Sequence, residues 1–259
     1  MEFFTKANIP TSDFKINYKS CLVFIGAYFA DNISRQWSDR KDLWPIVANC
    51  AERPFTEGDV FFDGEKWCCW NASSKFVSED QSREAFIEKL NLAASTLRKT
   101  IAELLTINPN IHIVFTVSPL RHLSDGAHEN NISKATLLLA VENVCEDSSA
   151  SYFPSYEIVM DELRDYRFYT EDMTHLSATA EDYIFERMQK IYCDDTTIAH
   201  TKYVEKFMKG ATHRIENAGS PRTVEFARQQ IAKAENLEHV IDGLDLSEEK
   251  EHFKKMFYI

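Results

Sequence analysis

Asp172-Met-Thr-His175 sets a carboxylate three residues ahead of an imidazole. On a loop leading into a helix, that spacing lets the carboxylate meet the ring, orient it and stabilise its charged form. A general base for a hydroxyl nucleophile needs that arrangement. The plainer reading of the same residues is a helix-leading aspartate and a surface histidine. A second group, Ser118-Pro-Leu-Arg121-His122 followed by His128-Glu-Asn130, places a serine, an arginine and two histidines within eleven residues. Arg121 suits bidentate contact with an anionic group, and Ser118 or His122 can donate to a substrate oxygen. The alternative is a self-bonded connector, with Asn130 or Asn131 capping the helix that follows. His122 and His128 stand six apart, with no short-spaced carboxylate–histidine motif beside them, so no metal site is expected. A third stretch, Cys21-Leu-Val-Phe-Ile-Gly26-Ala-Tyr-Phe-Ala-Asp-Asn-Ile33, reads as a buried strand, a glycine and a helix. In open α/β sheets such a turn displays ligands or a nucleophile. Here Ala27 and Tyr28 follow Gly26, so the turn has the frame of an active site without its reactive group, and Asn32 lies one helical turn beyond.

The elements that must position these residues can be read from hydrophobic periodicity. Phe29, Ile33 and Trp37 stripe one face of a helix over 29–40. Residues 41–82 are aromatic and turn-rich, and Asp63-Gly64 between Val60-Phe-Phe62 and Trp67-Cys-Cys-Trp70 predicts a hairpin. The run 83–105 is a helix striped by Phe86, Leu90, Leu97, Ile101 and Leu104, stopped by Asn108-Pro109-Asn110. Ile111 to Val117 has the composition of a sheet strand covered on both faces, which puts Ser118 at its carboxyl end. A helix over 132–144, a strand over 152–159, a polar loop to His175 and a helix over 179–191 follow. Past about 195 the chain reads as helical and charged, broken at Gly219-Ser220-Pro221. Alternating strands and amphipathic helices predict an α/β sandwich with a mostly parallel sheet. The expected division is an α/β domain over 1–195 and a helical extension over 196–259.

Composition narrows the function classes. With 29 basic and 41 acidic residues the formal charge is −12, which repels phosphate backbones and anionic lipid, so neither nucleic acid nor a membrane is an expected partner. Seven glycines in 259 residues argue against propellers, repeat barrels and glycine-rich nucleotide loops, and no cofactor is expected. No export signal or membrane span is read from the sequence, which predicts a cytoplasmic protein. The six cysteines lack Cys-x-x-Cys spacing and read as reduced thiols, several of them core filler.

Taken together, these stretches resemble the bacterial GSCFA family, a branch of the SGNH (GDSL-type) hydrolase-like superfamily. The resemblance runs through Phe14-Lys-Ile16, the turn at Gly26 to Ile33, Arg53-Pro-Phe-Thr-Glu57 and Trp70. It is densest in Phe115-Thr-Val-Ser-Pro-Leu-Arg-His122, Asp125-Gly-Ala-His-Glu-Asn130 and Ser133-Lys-Ala-Thr-Leu-Leu-Leu-Ala140. It continues through Tyr152 to Ile158, Asp161 to Tyr169 and Glu171 to His175. The resemblance implies a flavodoxin-like three-layer α/β/α fold and hydrolysis of ester or acyl groups, with His175 as base and Asp172 as its orienter. It also implies a nucleophile at position 27. The family's naming Gly-Ser-Cys-Phe-Ala motif reads Gly26-Ala-Tyr-Phe-Ala here, so its serine and cysteine are Ala27 and Tyr28. Alanine has no attacking atom, and a phenol is a weak, bulky substitute. The family's His-containing segment after the tryptophan is Asn71-Ala-Ser-Ser74. Two family blocks, one between about Arg40 and Pro45 and one within 83–110, are missing.

Three functions follow. The chain is a GSCFA-domain protein that is catalytically impaired and keeps a ligand-binding edge made of Gly26, Tyr28, Asn32, Ser118, Arg121, His122, His128 and Asn130. Alternatively, it hydrolyses small acyl or acetyl esters, carbohydrate esters included, with Ser118 as substitute nucleophile. The third function is a non-catalytic scaffold for a protein contact. The expected ligand is a small ester or carbohydrate-like molecule.

Overall fold

The computed structural model describes residues 5–26, 28–38, 46–49, 58–62, 65–69, 83–121, 126–146, 148–211 and 219–257. The chain forms two compact units. One comprises Met1–Pro10 with Cys50–Ile184, and the other Thr11–Asn49 with Phe185–Ile259. It is a mixed α/β protein in which helix dominates, and the described strands form three two-stranded pairs.

In the first unit, β3 (Gly58–Phe62) and β4 (Glu65–Cys69) pair antiparallel with Phe62 opposite Glu65, as the hairpin reading expects. Helix α2 (Arg83–Ile107) packs against α3 (Ala127–Glu146). Small residues make the close approach: Ala93 and Ala94 on one helix and Ala140 on the other are buried together with Ile101, Val144 and Ala150. Strands β5 (Val114–Phe115) and β6 (Ser151–Tyr152) pair in parallel.

The ladder between these strands is shorter than the apolar run 111–117 suggests. The next N–H on that edge, Ser155's, donates back to the Phe153 carbonyl at 2.9 Å, and the chain turns from Ser155 into a helical segment. That segment begins as α4 (Ser155–Glu157) and runs on as a π-helix, Ile158–Leu163, with Ile158, Val159 and Leu163 buried. The strand expected over 152–159 therefore ends at Tyr152. Its apolar residues belong to a helix, whose buried face holds the same residue types that a covered strand would.

Helix α5 (Ala178–Tyr192) leads from the first unit into the second. There β1 (Val23–Gly26) and β2 (Ile46–Asn49) pair in parallel, Val23 opposite Ile46 through Gly26 opposite Asn49. Helix α1 (Tyr28–Ser38) follows β1 directly and buries Phe29, Ile33 and Trp37, the stripe that the periodicity predicts. The Trp37 ring meets Phe185 edge-on at 5.0 Å.

Three helices complete this unit: α6 (Asp195–Ala211), α7 (Pro221–Val240) and α8 (Ser247–Lys255). Each start has a local cause. Asp194 accepts the Thr197 N–H at 2.6 Å, and that bond holds its carboxyl below the usual carboxylate range. Ser220 accepts the Thr223 N–H, with Pro221 in the first turn where its missing donor is harmless. Glu238 accepts the Leu246 N–H at 2.8 Å and pairs with Lys250 at 2.5 Å, fastening α8 to α7. Val204, Phe207, Ala227, Ala234, Leu246 and Phe253 form the core with Tyr18. Among the described residues no helix is long and apolar enough to cross a membrane.

Gly243 closes the turn between α7 and α8 at φ +94°, and a Cβ there would stand 2.7 Å from the Tyr18 carbonyl oxygen. Backbone strain and backbone contact both oppose a side chain. Gly243→Ala should lower stability by roughly 1–3 kcal/mol, read as a fall in the urea midpoint. An unchanged midpoint would show that the turn shifts freely.

Candidate active-site loop and its cationic neighbour

The loop that carries Asp172 and His175 is closed at its base. Tyr169 and Leu176 form an antiparallel bridge, the Thr170 N–H donates to the His175 carbonyl at 2.8 Å, and the Ser177 N–H donates to Phe168 at 2.9 Å. Leu176 is buried and anchors the far side. Between these ties the chain reverses through Met173 at φ +58°, a conformation that costs a non-glycine residue of order 1 kcal/mol.

The Asp172 carboxylate holds that reversal in place. Its Oδ1 accepts from the Thr174 N–H at 2.8 Å, the His175 N–H at 2.9 Å and the Thr170 hydroxyl at 2.7 Å. Its Oδ2 faces His175 Nδ1 at 2.5 Å. The His175 ring contact, then the two backbone N–H bonds and the Thr170 hydroxyl, hold the Asp172 carboxyl far below the usual carboxylate range. An ionised carboxylate only accepts, so Nδ1 carries the proton and the neutral ring keeps its basic lone pair on Nε2. That is the tautomer a general base requires. The two side chains are 38% and 50% exposed, so water screens the pair and its value lies in orienting the ring, not in stabilising the fold.

A second set of side chains sits at the carboxyl end of β5. Ser118 Oγ accepts the Leu120 N–H at 3.2 Å, shaping the turn through Pro119. Arg121 donates through Nη1 to Asn130 Oδ1 at 3.2 Å and to Asn131 Oδ1. Neither asparagine is a cap. Helix α3 starts five residues before the expected Ile132, at Ala127, so both lie in its first turns and hold Arg121 instead. Asn130 is 1% exposed, whereas His128 on the same helix is exposed.

The Arg121 charge reaches two further groups. It lowers the Tyr169 phenol against the larger upward push of burial. Burial, with the Arg121 charge adding to it, brings the Lys134 ammonium down to about 8. Tyr169 flanks the Asp172–His175 loop, so loop and cations are neighbours in the first unit. Lys134 and Ser133 were not among the residues that spacing singled out. Their signal lay in the helical stripe Leu137, Ala140, Val144, which runs back through Ser133 and Lys134 to Asn130.

Gly26, Tyr28 and Asn32 belong to the second unit. Gly26 ends β1, Tyr28 begins α1, and Asn32 lies within it, partly exposed. Ala27, His122, the Asp63-Gly64 turn and residues 70–82 lie outside the described residues. Among the described residues no group of three or more His, Cys, Asp or Glu side chains is placed to hold a metal ion.

The model of the GSCFA family matches residues 87–188. The matched span holds Ser118, Arg121, His128, Asn130, Asp172 and His175, and the Gly26–Ile33 turn lies outside it. No curated protein and no solved structure matches the chain.

Because the folded Asp172 carboxyl has a lowered pKa, its contribution to loop order is present above the unfolded value and is lost as pH falls through the folded one. The Asp172 side-chain carbon, followed by NMR, should show no titration step near the ordinary ~3.9 and should begin to shift only in stronger acid. A midpoint at the ordinary value would mean that the bonds to Thr170, Thr174 and His175 are not made in solution.

Proposed function

We propose that this chain is a GSCFA-domain protein of SGNH-hydrolase ancestry, catalytically impaired, which keeps a ligand-binding edge. In this reading residues 1–195 make up the hydrolase-like domain, on a flavodoxin-like three-layer α/β/α plan, and residues 196–259 a helical extension. The parallel pairs β1–β2 and β5–β6, and the run of helices beyond Asp195, support that plan.

The observation that carries the reading is a contrast. Asp172 orients His175 as a general base requires, while the turn at the family's nucleophile position reads Gly26-Ala27-Tyr28. A base with no hydroxyl to deprotonate leaves only binding and whatever electrostatic stabilisation the site retains. The two missing family blocks point the same way. The ligand is a small ester or carbohydrate-like molecule bound beside Arg121, Asn130 and the His175 loop.

Hydrolysis of an activated acetyl ester by the native protein, His175→Ala and Ala27→Ser tests this. The native protein should be no faster than His175→Ala, and turnover gained by Ala27→Ser would show that only the nucleophile was lost. Native hydrolysis that disappears in His175→Ala would favour an active esterase with a substitute nucleophile, Ser118 first.

A further inference from the structure

The buried face of α3 changes character along its length. At Leu137, Ala140, Val141 and Val144 it is apolar and meets the core. One turn toward its start, the same face presents Asn130, Ser133 and Lys134, at the i, i+3, i+4 spacing that brings side chains together. Asn130 is 1% exposed and Ser133 2% exposed. Among the described residues neither the Asn130 Nδ2 nor the Ser133 Oγ has a hydrogen-bond partner. The amide orientation is fixed, because Asn130 Oδ1 accepts from Arg121 and the reverse orientation would set two donors face to face. Lys134 has neither an ion pair nor a hydrogen bond among the described residues. Glu129, the acid of the first helical turn, lies back over Gly126, with its Oε2 2.7 Å from where a Cβ on that glycine would be.

Two cations and two neutral groups able to donate therefore share this end of α3, and among the described residues no carboxylate is bonded to them. Buried donors left without acceptors are costly, and an unpaired buried ammonium more so. Such a group of donors persists where a ligand supplies the acceptors. We propose that Arg121 and Lys134, with the Asn130 amide and the Ser133 hydroxyl, bind a phosphate dianion, free or as a monoester. A phosphate offers several acceptor oxygens and two negative charges against two positive ones. A carboxylate would leave one cation uncompensated. The assignment rests on the binding-edge reading above and names its ligand class.

Calorimetric titration of the full chain with inorganic phosphate, methyl phosphate and acetate tests it. The native protein should bind a phosphate saturably and acetate more weakly. Tighter binding of methyl phosphate than of inorganic phosphate would assign the site to a phosphate ester, and the reverse order to free phosphate. Lys134→Met should weaken binding by about tenfold or more, the loss of one charge-assisted contact, while its melting temperature holds or rises because an unmatched ammonium is gone. Ser133→Ala, a smaller change on the same face, should weaken it severalfold. Absence of saturable phosphate binding, or native-like binding by both variants, overturns the proposal. That failure would leave the ester-hydrolysis results of the three forms above untouched, whereas native hydrolysis would overturn the impaired-enzyme reading and leave the phosphate titration unaffected.

Discussion

The Asp172 carboxylate gathers three hydrogen bonds on one oxygen and the His175 ring on the other, all from residues 170–175. Without it, Met173 would have little reason to remain at positive φ, and the loop would present neither a fixed imidazole nor a fixed tautomer. The loop is short and bridged at its base, so a single side chain suffices to order it. Both partners are half in water, where an ion pair adds little stability. The contact therefore sets ring geometry, which is what a site needs and a fold does not.

The cationic neighbour follows a different logic. The chain carries a formal charge of −12, so its average field opposes an approaching anion. Recognition at Arg121 and Lys134 must rest on short-range donors in a sheltered spot, where screening is weak. Tyr169 belongs to both places: it anchors the His175 loop through its bridge to Leu176 and lies within reach of the Arg121 charge.

What the sequence revealed depended on whether local pattern and tertiary role coincide. Phe29, Ile33 and Trp37 share a helical face, and burial of that face is what α1 does. Gly219-Ser220-Pro221 was legible as a break in the helical stretch, and α7 begins there with Ser220 as its cap. Asp172 and His175 were legible as a pair because they lie three apart in one loop. Ile111–Val117 was legible as apolar but not as a two-residue ladder, since the length of a ladder is set by its partner, and that partner turns away at Ser155. Asn130 and Asn131 carry a capping signal, yet α3 starts earlier and Arg121 takes their oxygens, a choice made by a residue nine and ten positions away. Lys134 looks like any surface lysine until the helix is rotated into place and its neighbours prove buried. Ala27 and His122 lie outside the described residues, so the expectations for them rest on sequence alone.

In the function proposed above, an oriented general base persists without a nucleophile to serve. Its most direct test is to treat the native protein with a serine-reactive fluorophosphonate and weigh the intact chain by mass spectrometry. Such a probe reports an activated hydroxyl and needs no knowledge of the substrate. No adduct should form on the native protein. An adduct on the native protein, mapped to Ser118 or another hydroxyl and abolished by His175→Ala, would contradict it.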